Sequence, residues 1–260
     1  MGRHIVSISK QQVQQRFSRA KDSYTQHATA QDEICAHLAH LIQAHVSKEI
    51  PQIFEVGCGS GMLTHRLLHS LSVDRYVVND IYPEIQSFFQ TFSNIEFCVG
   101  DAEIIEFPKQ NHLVVSSSAL QWMHDLPKVF QKIYDALLPQ SWFIFSIFGP
   151  DNLKEIKALT GQGLAYLSAN HLKQQLRNTG FDVLHMEEAK IMLDFPKPLS
   201  VLKHLKATGV TANTTGFIWT KNTLKQFDAD YTEQFSYIGL DHTKYYPLTY
   251  HPIYIVARRV

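Results

Sequence analysis

The chain has 260 residues, with 24 Lys+Arg against 24 Asp+Glu, 45% hydrophobic residues and 12% aromatic ones. A chain of that length buries roughly 70% or more of the surface its unfolded form exposes, and 16 Phe with 11 Tyr against only 18% charged residues exclude a solvated, disordered polymer. Zero net charge, with histidine counted neutral, excludes a protein that coats nucleic acid or an anionic membrane through its overall field, so any charged partner must be met locally.

Residues 1–50 read as a helical preamble. MGRHIVSISKQQ has no apolar signal core, and Val6 stands where a myristoylation signal requires Ser or Thr. From residue 52 short apolar strands alternate with amphipathic helices. QIFEVG (52–57), RYVVND (75–80), IEFCVG (95–100), HLVVSS (112–117) and SWFIFSIF (141–148) read as buried strands. MLTHRLLHSL after Gly61, PEIQSFFQTF after Tyr82 and PKVFQKIYDALL after Leu126 read as helices between them. That alternation implies βαβ units and a parallel sheet. A helix over 168–178 closed by Gly180, a strand-like run over 181–193 and a last strand over 254–259 complete the pattern. The uncharged run 136–150 is broken by Pro139 and is shorter than the ~20 residues of a spanning helix. Cys35, Cys58 and Cys98 lack the spacing of a disulfide framework or a metal site. The expectation is a soluble cytoplasmic α/β protein without metal. Its expected parts are a helical cap (1–50), a core (51–195), an insertion (196–249) and the last strand (250–260).

EVGCGSG (55–61) ends the first strand and opens a helix. Gly57, Gly59 and Gly61 remove side chains where backbone must approach a ligand, with Cys58 between them, and the first permits a tight turn. The spacing is GxGxG, whereas a dinucleotide loop requires GxGxxG and a Walker loop ends in a lysine. Glu55 beside the loop would repel a pyrophosphate and favour a cationic ligand such as S-adenosylmethionine. Asp80 ends the second strand, where a carboxylate accepts from ribose hydroxyls. Asp101 follows the third strand, placed to accept from an adenine amino group. Three acids thus reach the carboxyl edge of the sheet, where open α/β folds bind ligands.

The glycine loop, the acid after strand two and GDAEIIEFP (100–108) resemble class I S-adenosylmethionine-dependent methyltransferases, as does VVSSSALQWMHDL (114–126). The resemblance implies a Rossmann-like fold with a mostly parallel seven-stranded sheet and helices on both faces. It adds Ile81, Ala102, Ser116 and Ser117 to the cofactor residues and turns Gln121 and Trp122 toward the reacting methyl, with S-adenosylhomocysteine as product. RFSRAKDSYTQHATAQ (16–31), FSIFGPDNLKEI (145–156), HLKATGV (204–210) and PLTYHPIYIVARR (247–259) narrow it further. They resemble the malonyl-[acyl-carrier protein] O-methyltransferases of biotin synthesis, the BioC family. That family masks the free carboxyl of a malonyl thioester as its methyl ester, so that elongation enzymes accept it.

The distribution of charge supports such a partner. Residues 195–227 hold Lys197, Lys203, Lys206, Lys221 and Lys225 with no carboxylate, for +5, while residues 1–31 carry +4, Arg16 and Arg19 included. The remainder therefore carries −9. Two basic segments outside the motifs suit an acidic carrier protein, and serve a phosphorylated coenzyme A equally well. A malonyl carboxylate is ionised at neutral pH, with a pKa near ~4, so the reaction needs positioning rather than a general base. Tyr24, Gln31, Gln121 and Trp122 are the candidates for closing the site, with Arg16 the best candidate cation for the substrate carboxylate. The histidine pairs 37/40 and 65/69 lack the glutamate and third ligand of a metal site. Two other readings stay open: methylation of a small free acid or quinone-type carbon, and a cofactor-binding regulator without catalysis. A nucleic-acid substrate finds no target-base motif.

Overall fold

The computed structural model describes residues 28–89, 92, 94–208 and 217–260. In chain order the elements are α1 (Thr29–His45), β1 (Glu49–Val56), α2 (Met62–Ser70), β2 (Ser72–Asp80), β3 (Ile95–Val99), β4 (Asn111–Ser117), α3 (Leu126–Ala136), β5 (Leu137–Phe148), α4 (Lys154–Thr160), α5 (Ala169–Thr179), β6 (Phe181–Glu188), β7 (Ile191–Phe195), α6 (Pro198–Ala207), α7 (Lys221–Gln234), β8 (Tyr237–Ile238), β9 (Lys244–Tyr250) and β10 (Pro252–Arg259). They divide into two compact units. The larger comprises Gln31–Gly149, Leu167–Glu188 and Pro252–Val260; the smaller is built mainly from Pro150–Tyr166 and Ala189–His251.

The larger unit is a seven-stranded sheet in the order β3-β2-β1-β4-β5-β10-β6. Ladders β1/β2, β2/β3, β1/β4 and β4/β5 are parallel, and β10 runs antiparallel to β5 and β6. β1 lies between two parallel neighbours, and its end, Ile53–Val56, is buried throughout, which is why it reads as an apolar run interrupted only by Glu55. Flanking helices present one apolar stripe each. In α3, Leu126, Val129, Phe130, Ile133 and Ala136 are buried, and Asp125 caps the helix by accepting from Lys128 N–H at 3.1 Å. Phe143 and Phe145 stack at 4.3 Å in the core these residues share.

Two sequence expectations change. The helix expected after Tyr82 is a 3₁₀ turn, Pro83–Phe88, because Phe89 leaves helical geometry (φ −119°, ψ 19°) and sets its ring against the glycine loop. The run 181–193 splits at Ala189–Lys190: β6 joins β10, whereas β7 joins β9 in a second sheet.

The smaller unit carries the three-stranded sheet β7-β9-β8 with α4, α6 and α7. It takes in the expected insertion together with Pro150–Tyr166 and Ala189–Phe195. Glu155, 1% exposed, accepts from the N–H and hydroxyl of Thr249 at 3.1 and 2.5 Å, and so ties α4 to β9. Removing a buried acceptor strands its donors. Glu155→Ala is expected to lower unfolding free energy by about 2–4 kcal/mol in chemical denaturation; a loss below about 0.5 kcal/mol would contradict this anchoring.

Candidate active site

The chain leaves β1 through a turn that only glycine accommodates. Gly57 and Gly61 hold φ of +71° and +80°. A Cβ on Gly57 would lie 2.3 Å from that of Ala119, and one on Gly61 2.5 Å from the Phe89 ring. Backbone hydrogen bonds then fasten the turn to the end of β2. Cys58 N–H donates to Asn79 O at 2.9 Å and Gly59 N–H to Asp80 Oδ2 at 2.8 Å.

Asp80 also accepts from Tyr82 N–H through Oδ1 at 2.9 Å. Burial raises its pKa, while N–H groups of Tyr82, Gly59 and Ile81 oppose the rise. Beside it Asn79, 1% exposed, donates its amide to Cys98 O and Gly100 O at 2.7 and 3.0 Å, and Gly100 N–H returns to Asp80 O at 2.8 Å. The tips of β1, β2 and β3 are thus one hydrogen-bonded assembly.

Glu55 turns away from the loop surface. It is 1% exposed, and its Oε2 accepts from Thr64 Oγ1 at 2.7 Å and Tyr76 OH at 2.6 Å. Burial lifts its pKa to about 7 against those two donors, with the Asp80 charge adding to the rise. The Cys58 thiol is raised well above its ordinary value, first by burial and then by Asp80 and Glu55. It is a packed, protonated group and no nucleophile.

Past β3, Ala102 is buried and Asp101 Oδ1 accepts from Glu103 N–H at 3.0 Å. Past β4, the hydroxyls form a short chain. Ser116 donates to Val56 O at 2.8 Å, Ser117 meets both Ser146 Oγ and Cys35 Sγ at 3.3 Å, and Ser118 takes φ +52°. The Cys35 contact joins α1 to the end of β4, four residues beyond Gln31. Gln121 donates to Ser118 O at 2.5 Å from the 3₁₀ turn Leu120–Trp122. Four buried polar atoms around this edge lack a hydrogen-bond partner among the described residues: Gln31 Oε1, Ser60 Oγ, Ser118 Oγ and Gln121 Oε1. Buried orphans are rare in folded proteins and indicate a missing partner.

These groups fit S-adenosylmethionine. The orphaned Gln31, Ser60, Ser118 and Gln121 are suited to its polar amino-acid portion, the glycine turn to close backbone approach, and Asp80 to ribose hydroxyls. Arg16, Arg19 and Tyr24 lie outside the described residues. Lys197, Lys203, Lys206, Lys221 and Lys225 belong to the smaller unit and are exposed. The site residues that sequence reasoning missed are Ser60, Ser118, Asn79, Thr64, Tyr76 and Ala119. Asn79 alone left a signal there: a polar amide at the end of an otherwise apolar strand. Among the described residues no cluster of three or more His, Cys, Asp or Glu is arranged for a metal, and no helix is long and apolar enough to cross a membrane.

Residues 26–186 match the methyltransferase domain family. The fold is similar to that of a 1,6-didemethyltoxoflavin N1-methyltransferase from Burkholderia thailandensis, with a TM-score of 0.57 at 14% identity over 100% of this chain and 93% of that one. It is also similar to the N-methyltransferase NodS from Bradyrhizobium japonicum, with a TM-score of 0.53 at 11% identity over 87% of this chain and 86% of that one. A sheet of this order, with a glycine turn answered by an acid on the neighbouring strand, defines a class I S-adenosylmethionine-dependent methyltransferase. Sequence similarity extends further. A malonyl-[acyl-carrier protein] O-methyltransferase of Acinetobacter baylyi is 43% identical over 98% of this chain and 99% of its own length, and one of Haemophilus influenzae is 36% identical over 98% and 96%. The chain belongs to the malonyl-[acyl-carrier protein] O-methyltransferase family.

Two outcomes follow from the geometry. Gly57→Ala must shift Ala119 as well as strain φ, so cofactor affinity in calorimetry is expected to fall at least ~100-fold with the fold retained; wild-type affinity would overturn the close-approach argument. Glu55 holds its proton more tightly folded than unfolded. Between its ordinary value of 4.5 and about 7 the folded state therefore binds the extra proton. Stability of the cofactor-free protein should accordingly decline as pH rises through that window, by on the order of 3 kcal/mol, and then level off. Denaturation of Glu55→Gln across the same range should lack this component; parallel curves for the two proteins would refute it.

Proposed function

We propose that this methyltransferase esterifies the free carboxyl of a malonyl group carried as a thioester on acyl-carrier protein. The product would be the malonyl methyl ester that begins pimeloyl synthesis in biotin formation. The observation that carries this reading is the match at 43% identity over 98% of the chain, which takes in the smaller unit as well as the cofactor unit.

The chemistry is consistent with the site. Bound S-adenosylmethionine supplies an electrophilic methyl on a cationic sulfur, and a malonyl carboxylate is already ionised at neutral pH, with a pKa near ~4. The protein therefore needs to hold and orient the acceptor and keep water out, not remove a proton. Gln121 and Trp122, on the turn after β4, are assigned to orientation at the methyl. Arg16 and Tyr24 are assigned to the substrate carboxylate, and Tyr24 with Gln31 to closing over the cofactor.

The carrier is assigned to the lysines of the smaller unit. On α6, Val201, His204 and Leu205 face inward, with His204 Nε2 against Tyr250 OH at 2.8 Å. That spacing sends Lys203 and Lys206 outward, where both are exposed. Lys197 precedes this helix, and Lys221 and Lys225 occupy the start of α7. An acidic carrier helix would meet these cations at modest strength and gain mainly in encounter rate. Arg19 is assigned to the same task. Three unbridged thiols suit a reducing cytoplasm.

The deciding assay is transfer of a labelled methyl group from S-adenosylmethionine to malonyl-acyl carrier protein, malonyl-coenzyme A and free malonate. Carrier-bound malonate is expected to be the preferred acceptor; turnover of free malonate at equal kcat/KM would replace this reading with a small-acid methyltransferase. Lys203→Glu with Lys206→Glu is expected to raise KM for the carrier substrate roughly 5- to 10-fold while leaving cofactor affinity unchanged. An unchanged KM would remove these lysines from docking.

A further inference from the structure

The segment after β3, residues 101–105, carries Asp101 and Ala102 and turns on the carbonyl and carboxylate of Asp101. Ile104 and Ile105 N–H donate to Asp101 O at 2.8 and 2.9 Å, and Glu103 N–H donates to Asp101 Oδ1 at 3.0 Å. Its shape is supplied by α3. Two turns into that helix, Lys132 Nζ donates to Ala102 O at 2.5 Å and Ile105 O at 2.6 Å, and lies 4.3 Å from the centre of the Phe107 ring. The ring is buried and packs on Phe54 of β1 at 4.9 Å. At the start of the helix Glu103 Oε1 accepts from Asp125 N–H at 2.7 Å, and Oε2 accepts from His124 N–H at 3.1 Å and faces His124 Nδ1 at 3.2 Å. The segment is therefore held at two points, by Lys132 of α3 and, through Glu103, by the two residues that lead into that helix.

The Lys132 contacts are specific. A half-buried ammonium satisfied by two carbonyls and a ring face is desolvated, and burial lowers its pKa. Nearby Asp101 and Glu103 act in the opposite direction and favour its charge. The two carbonyls stand three residues apart, so the one ammonium ties both ends of the turn together. The same segment closes over Gly100, where a Cβ would lie 2.6 Å from Ile105 Cγ2.

We propose that Lys132 is a positioning residue for the adenosyl half of the cofactor: by bridging the carbonyls of Ala102 and Ile105 from α3 it sets the Asp101–Ala102 segment in its binding shape before the ligand arrives. A preset segment spares the binding event the ordering of that loop. This inference rests on the reading that Asp101 and Ala102 line the adenine end of the site, and its test keeps the two apart.

The measurement is calorimetric affinity for S-adenosylhomocysteine and for 5′-methylthioadenosine, which lacks the amino-acid portion, on Lys132→Met, Lys132→Arg and Asp101→Ala, with thermal midpoints of the free proteins. Lys132→Met is expected to weaken both ligands by the same factor, about tenfold, equal to about 1.4 kcal/mol, with kcat at saturating cofactor within about twofold of wild type, as expected when binding alone is lost. Lys132→Arg, which keeps donors and charge, should recover most of the affinity. If Lys132→Met does not fold, Lys132→Gln, which keeps one donor, takes its place with a smaller loss. Unchanged affinity in the Lys132 variants beside a loss in Asp101→Ala would overturn the clamp and leave the adenine site standing. Unchanged affinity in all of them would overturn the site reading itself. A loss for S-adenosylhomocysteine without one for 5′-methylthioadenosine would place the effect at the amino-acid end and refute the proposal.

Discussion

The end of β2 is where this fold is committed to its chemistry. Parallel strands are joined by crossovers rather than tight turns, so the ladders align the ends of β1, β2 and β3 but leave the loops beyond those ends to be set by other contacts. Asn79 and Asp80 supply those contacts. One backbone carbonyl takes the glycine turn of β1 through Cys58, one amide side chain holds the end of β3 by two carbonyls, and one carboxylate receives Gly59 and Tyr82. A buried amide that lost either partner would carry an unsatisfied polar atom costing about 1–3 kcal/mol, so the arrangement is narrow. The acid expected to meet a ribose is thus also the acid that shapes the loop beneath it, and its two roles share the same two oxygens.

Two carboxylates lie close to the glycine turn. Glu55 lies fully buried below the turn and Asp80 half-buried at the strand end, and each raises the pKa of its neighbours. Burial favours protonation of Glu55, which Thr64 and Tyr76 partly offset by donating to it. The carboxylate that faces the turn is Asp80, and its charge is unfavourable for a phosphate and favourable for a ligand with a sulfonium and an ammonium. Electrostatics therefore give the same answer as the GxGxG spacing, through a different physical route.

The parts of this molecule legible in sequence are those determined by local geometry. Glycines at 57, 59 and 61 announce a turn of positive φ, and an apolar run ending in Asp80 announces a buried strand with a polar tip. What depends on partners distant in sequence was not legible. A carboxylate inside a glycine motif reads as facing the ligand, yet Glu55 faces inward, because Tyr76 lies 21 residues on and Thr64 nine residues on. The run 181–193 alternates as one strand would, and alternation says which face is buried but not which strand lies alongside. Its two halves therefore join different sheets. Phe89 shows the same limit in a helix, because its ring is drawn beside Gly61, a contact 28 positions away that the local pattern does not contain.

The neutral total charge is the other feature that sequence alone leaves ambiguous. Five lysines without a carboxylate between 195 and 227 are equally compatible with a solvated face and with a docking surface. Helical spacing narrows this, because the apolar side of α6 is committed to the interior of its own unit through Val201, His204 and Leu205. Lys203 and Lys206 have no inward option and must present their charge to solvent or to a partner. α7 differs, since its basic first turns give way to Asp228, Asp230 and Glu233. Its field is a dipole along the helix rather than a uniform patch, and it sets a direction as well as an attraction. A partner with acidic side chains would be drawn to α6 and to the first turns of α7 and repelled from the end of α7. Recognition by charge then fixes the orientation of such a partner as well as its affinity.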